Sequence, residues 1–236
     1  MLRRLIYPAP TYAGADHETT KGGSHLLHRP APEDGSRTIV YMHGNGSDLA
    51  SIAPLAGLFA RHGLGFAAVE YPGYGPAADQ RTTQATVLAA AVDGMAHLRA
   101  AGLSAADTVL VGESLGSSVA AHLAADGLLT DDEGSGRLVL ISPFTSMTAM
   151  VQRVVRILPR WLVPDRWETE DLVERLTVPT LLVHGADDTI VPPAMSEALA
   201  AAIPTAERVV VAGRTHNDLW DEPSECLDAV TGFAIR

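Results

Sequence analysis

Val111-Gly112-Glu113-Ser114-Leu115-Gly116 decides how this chain is read. A β-branched run, Thr108-Val109-Leu110-Val111, leads into it, and an Ala/Leu-rich helical stretch at about 115–126 leads out. Glycine on both sides of a serine, at a strand-to-helix turn, marks a backbone too tight for side chains at those two positions. Ser114 is expected at an exposed, strained turn, the context that a G-x-S-x-G nucleophile elbow requires. The N–H of Leu115 opens the helix and is expected to face a developing oxyanion.

Working outward, strand and helix signals alternate. Short apolar runs lie at 38–42, 66–70, 138–141, 180–183 and 208–211, most of them continuous rather than alternating. That is how strands covered on both faces read. Helical stretches fall at about 49–62, 82–101, 194–202 and 223–235. The alternation predicts an α/β fold with a parallel sheet and helices on both faces. Ser24-His25-Leu26-Leu27-His28 is expected as an antiparallel edge strand. Nearly forty residues separate Ile141 from Thr180 and break the rhythm. Met147, Met150, Val151, Val154, Val155 and Leu158 recur there at helical spacing, and Pro159 is expected to end that helix. The expectation is one domain spanning 1–236, with a short cap insertion at about 144–178.

Length and composition agree. The 236 residues are 47% apolar and 19% charged, enough for one sizeable core and unlike a disordered chain. The net charge of −11 argues against nucleic-acid partners, because an acidic surface repels phosphate. The lone Cys226 allows no internal disulfide and no four-thiolate zinc site, and reads as a small core residue. Two arginines near Met1 start like a signal peptide, but Pro8 and Pro10 stop the apolar stretch. No run of about 18 apolar residues offers a membrane anchor. The expectation is a soluble, cytoplasmic protein.

A serine hydroxyl needs a base. In an elbow site the base lies near the C-terminus, with the acid between it and the serine. Gly213-Arg214-Thr215-His216 follows the last strand, which makes His216 the base. The acid is expected after the run 180–183, in His184-Gly185-Ala186-Asp187-Asp188, where Asp187 and Asp188 both qualify. His43-Gly44-Asn45-Gly46 follows the first long strand, and Asn45 N–H is expected as the second oxyanion donor, with Gly46 in reserve. His43 is expected to brace this loop, and Asp48 to cap the next helix.

With these stretches in hand, the chain resembles an α/β-hydrolase, similar to the small serine hydrolases of the Bem46 and ABHD13/ABHD17-like group. Tyr41–Asn45, Glu70–Gly75, Gly112–Gly116, Ser142–Met147, His184–Pro192 and His216–Asp218 match in order and spacing, covering about 37–220. The family pattern H-G-x-x-D-x-x-V-P, laid on His184, selects Asp188. The resemblance also implies an eight-stranded, mostly parallel sheet and ester or thioester hydrolysis; a small-molecule acyl ester or thioester substrate is expected, and a Ser-His-Asp mechanism is expected to need no metal or cofactor. Membrane-attached relatives carry a lipidated cysteine cluster or an apolar anchor that is not found in this sequence.

Other features carry less. Arg153, Arg156 and Arg160 read as a patch for anions or membrane surfaces or, more plainly, as a solvated helix face. Trp161, Leu162 and Trp167 fit an acyl pocket or a seal of the cap onto the core. Tyr71 and Tyr74 read as turn packing ahead of substrate contact. His17, His25 and His28 lack the carboxylates of a metal site. Glu113, next to the nucleophile, is one candidate for holding a substrate amine, as an aminopeptidase would require. A non-catalytic binding module on the same fold is the remaining alternative.

Overall fold

Residues 7–33, 35–157 and 159–236 are described by the computed structural model. The signal-like start, Met1–Ile6, and Leu158, expected as the last apolar residue of the cap helix, lie outside the described residues. Among the described residues ten strands appear: β1 (Glu18–Thr19), β2 (His25–Arg29), β3 (Thr38–Met42), β4 (Gly65–Val69), β5 (Thr108–Glu113), β6 (Thr130–Asp131), β7 (Gly134–Ser135), β8 (Arg137–Ile141), β9 (Thr180–Gly185) and β10 (Ala206–Val211). Eight of them form one sheet in the order β1-β2-β4-β3-β5-β8-β9-β10. Every pair from β4 to β10 is parallel, while β2 pairs antiparallel with β4 and with β1. This is the α/β-hydrolase fold.

Period-two alternation splits the core in two. Val40 and Met42 face one side with Leu110, Leu138 and Leu182, against α2 (Gln84–Ala100), α3 (Leu115–Ala125) and α5 (Pro193–Ala202). Ile39 and Tyr41 face the other with Val109, Val139 and Leu181, against α1 (Leu49–Ala60) and α6 (Glu225–Ile235). Each such side chain removed from water contributes about 1.5–3 kcal/mol. Burial on both faces accounts for continuous apolar strands. Asp48 caps α1, accepting from Ser51 N at 2.9 Å. Cys226 is buried on α6, and burial, with the charge of Glu113 nearby, pushes its thiol well above the ordinary range.

Two details depart from expectation. A two-residue hairpin, β6 with β7, precedes β8, a turn too short to show as periodicity. The cap helix, α4, covers Met147–Val154 and stops short of Pro159. Ser146 caps its start, accepting from Ala149 N at 3.2 Å. Val155, Arg156 and Ile157 are exposed, so no packing beneath repays further helix. Pro159 instead precedes a single 3-10 turn, Arg160–Leu162.

Trp167 seals the cap. It is fully buried, donates from Nε1 to Tyr7 Oη at 2.9 Å, and donates its backbone N–H to Gln84 Oε1 at 3.2 Å. Asp165 accepts from Gln84 N at 3.0 Å, and Thr169 Oγ1 donates to Ser118 Oγ at 2.8 Å. Trp161, by contrast, is largely exposed.

Candidate active site

Parallel strands bring their carboxyl ends to one edge of a sheet, which is where such folds place their ligands. β3 pairs with β5 so that Met42 opposes Gly112. The loop carrying Asn45 therefore lies beside the Ser114 turn. β9 and β10 deliver the Asp188 and His216 loops to the same edge.

Ser114 has φ +50° and ψ −113°, a left-handed conformation that costs about 1–3 kcal/mol outside glycine. Packing enforces it. A Cβ on Gly112 would lie 2.2 Å from Gly116 O, and one on Gly116 would lie 1.9 Å from Met42 O. Ser114 N donates to Ile141 O at 2.9 Å, and its side chain makes no cap bond, which leaves Oγ available. Leu115 is the first residue of α3, so its N–H has no intrahelical acceptor.

His216 Nε2 lies 3.1 Å from Ser114 Oγ, and His216 Nδ1 lies 2.7 Å from Asp188 Oδ2. Asp188 is buried, while Asp187 is exposed. Asp188 Oδ1 accepts from Ile190 N at 2.9 Å and Val191 N at 2.8 Å, which turns the carboxylate inward. His184 Nε2 lies 3.2 Å from Asp188 Oδ2 and 2.9 Å from Val191 O. Burial pushes the Asp188 carboxyl upward. Hydrogen bonds from His184 and His216, the charge of His216 and the Val191 N–H outweigh that push and hold it well below the usual carboxylate range.

The His216 loop is braced by residues that sequence reasoning missed. Arg214 donates to Asp218 O, Asp221 O and Pro223 O at 3.3, 3.0 and 2.6 Å. Asp218 Oδ1 accepts from Thr215 N at 2.7 Å. A Cβ on Gly185 would lie 2.4 Å from Arg214 O, so β9 packs directly beneath this loop.

The Asn45 loop has its own brace. His43 Nε2 lies 2.9 Å from Glu70 Oε1 and its Nδ1 lies 2.9 Å from Gly44 O; the ring stacks on Tyr71 at 4.0 Å. Glu70 also accepts from Leu49 N at 3.0 Å and Tyr71 N at 3.1 Å. Tyr71 Oη donates to His43 O at 3.1 Å, and Tyr74 Oη donates to Asn45 Oδ1. Burial, with Tyr7 and Glu70 nearby, pushes the Tyr74 phenol well above its ordinary value, so it stays a donor. The tyrosines expected as turn packing thus also orient the loop. Their partners lie nearly thirty residues away, a separation no local pattern reveals.

Asn45, Ser114, Leu115 and His216 open into one cavity of about 650 Å³. Phe144, Met147, Met150, Val151 and Val163 make its walls apolar, and no carboxylate is among the described residues lining it. Glu113 is held elsewhere, accepting from Tyr41 Oη and from Trp220 Nε1 at 3.1 Å. Among the described residues, no group of three His, Cys, Asp or Glu side chains could hold a metal, and no helix is long and apolar enough to cross a membrane.

The strand order, the strained serine turn and the histidine behind it define an α/β-hydrolase scaffold, and comparison with known proteins agrees. Residues 34–170 match the family model described as serine aminopeptidase S33, and residues 162–223 match the α/β-hydrolase fold model. The chain belongs to this α/β-hydrolase family. Rv2307c of Mycobacterium tuberculosis strain H37Rv is 34% identical, over 92% of this chain and 80% of that protein. YfhR of Escherichia coli K12 is 24% identical, over 93% and 81%. Among solved structures, the Pyrococcus furiosus esterase Pf2001 superposes with a TM-score of 0.71 at 17% identity, covering 97% of this chain and 96% of that one. Est1E of Butyrivibrio proteoclasticus superposes with a TM-score of 0.70 at 18% identity, covering 94% and 98%.

Proposed function

We propose that this protein is a serine hydrolase that cleaves a carboxylic ester or thioester through an acyl-enzyme on Ser114. One observation carries the reading: Ser114 Oγ, His216 and Asp188 form a continuous hydrogen-bonded line opening into an apolar cavity. Ser114 Oγ attacks the carbonyl carbon while His216 Nε2 takes its proton. Asp188 holds the ring so that Nδ1 carries a hydrogen and Nε2 a lone pair. The N–H groups of Leu115 and Asn45 receive the oxyanion. His216 then protonates the departing alkoxide or thiolate. Water, losing its proton to His216, attacks the acyl-enzyme; as the acid is released, His216 returns that proton to Ser114 Oγ. The chemistry needs no metal or organic cofactor. The apolar walls suit the acyl part of the substrate.

In this reading the cap at about 144–178 belongs to a single domain and shapes the acyl pocket. The sequence likeness to the Bem46-like group supports the ester or thioester class, and the lone buried thiol suits a cytoplasmic location. The S33 description raises a second reading, an aminopeptidase. Such an enzyme needs an anion for the substrate amine. Among the described residues the cavity lining holds no carboxylate, and Glu113 is engaged by Tyr41 and Trp220.

Intact-mass analysis after fluorophosphonate treatment tests the proposal. One adduct is expected on wild type, none on Ser114→Ala, and slow labelling on His216→Ala. No adduct on folded wild type refutes the hydrolase reading and favours a binding module. Aminoacyl anilide turnover matching that of short esters moves the aminopeptidase reading forward.

A further inference from the structure

We propose that the cap docks onto an anionic lipid surface, from which acyl esters enter the cavity. Among the described residues nine large apolar side chains are exposed, and five of them, Val154, Val155, Ile157, Trp161 and Leu162, fall in one stretch of the cap. Isolated exposed apolar residues are ordinary; a cluster marks a contact surface. Ile157 is 91% exposed and Trp161 79%, so neither serves the core.

The patch continues into the cavity. Val154 and Val155 are exposed outside and also line the space that holds Ser114. An acyl chain leaving a bilayer would pass from one apolar surface to another without crossing water.

Charge selects the partner. The chain carries −11 overall. Arg160 and Arg166 are engaged by Glu168, but Arg153 and Arg156 are exposed and have no ionic partner among the described residues. They interleave with the apolar side chains. Most of this molecule is repelled by anionic lipid, whereas the stretch 153–162 carries Arg153, Arg156 and Arg160 and no carboxylate, so this part of the cap is the face that approaches it. Arginine beside tryptophan and aliphatic residues is the composition of a segment lying in a membrane interface. A second copy packed symmetrically on this patch would set the same arginines against each other.

The docking step is tested apart from catalysis; only the delivery of substrate rests on the proposed hydrolase activity. Ser114→Ala protein is floated with vesicles of phosphatidylcholine mixed with phosphatidylglycerol, and with phosphatidylcholine alone. Flotation is expected with the mixed vesicles, weaker with phosphatidylcholine alone, and weaker in high salt. The double variant Ile157→Glu/Trp161→Glu should lower vesicle partitioning about tenfold or more. In an otherwise wild-type chain it should leave short soluble ester turnover unchanged, since neither residue lines the cavity. No flotation, or flotation undiminished in the double variant, overturns the proposal. So does a wild-type dimer in size-exclusion chromatography that the double variant converts to monomer, because the patch then joins copies of the chain. Failure of the hydrolase reading shows separately, as a missing fluorophosphonate adduct with vesicle binding intact.

Discussion

Replacing Asp188 by Asn is the sharpest perturbation available. Oδ1 accepts two backbone N–H groups, from Ile190 and Val191, at 2.9 and 2.8 Å. An asparagine must keep its carbonyl oxygen there, because an NH₂ group would oppose both donors. The NH₂ then falls at the Oδ2 position, 2.7 Å from His216 Nδ1. Facing a donor, His216 must turn a lone pair to Nδ1 and carry its hydrogen on Nε2, toward Ser114. That tautomer cannot take the serine proton. A wrong tautomer in a Ser-His-Asp array lowers turnover about 10⁴-fold. Initial rates on a short chromogenic ester at neutral pH measure it. Asp187→Asn, changed at an exposed carboxylate, should stay close to wild type. Asp188→Asn turnover within about tenfold of wild type would refute the tautomer argument. Stability should follow the same residue. The folded carboxyl is held below its ordinary value, so its stabilisation is complete above about pH 4 and is lost as pH falls through that value toward the folded one. The melting-temperature gap between wild type and Asp188→Asn should therefore be full at neutral pH and shrink in acid. A gap that does not change with pH would contradict the linkage.

Gly116→Ala places a Cβ 1.9 Å from Met42 O, so the elbow must move; a loss of about 1–3 kcal/mol or more is expected in thermal denaturation, together with slower fluorophosphonate labelling. An unchanged melting temperature would show that the turn is not sterically enforced. Tyr74→Phe removes the donor to Asn45 Oδ1; kcat should fall about tenfold, less than the ~10²–10³ for losing an oxyanion donor, with KM little changed. A change confined to KM would place Tyr74 in substrate binding instead. Met150→Trp narrows the apolar cavity, so turnover of long acyl esters should fall while acetate esters persist; equal loss of both would mean that the acyl chain lies elsewhere.

Much of this architecture was legible in the residues. Glycine at 112 has a local physical cause, since a Cβ there meets Gly116 and Ser117 backbone a few residues on, whereas a Cβ at 116 meets Met42 and His43 backbone across the sheet. The strands read correctly because burial on both faces forces continuous apolar runs. Yet whether Trp167 seals or lines was decided by Gln84 and Tyr7, far along the chain. The end of α4 was misjudged because periodicity continues past Val154 although packing does not.

The choice between Asp187 and Asp188 shows where the boundary falls. Neighbouring aspartates have the same chemistry, and only a family pattern separated them in the sequence. In the fold, Ile190 and Val191 N–H groups and two histidines turn Asp188 inward and leave Asp187 in solvent. The sequence by itself determined the elements, their order, and which loops must share the carboxyl edge, because these follow from local sterics and from burial period. The tertiary structure alone decided which side chains meet across that edge, how Tyr74 reaches Asn45, and that the cap leaves an apolar face uncovered. Those outcomes depend on contacts between residues distant in sequence, whose distances only the packed sheet sets.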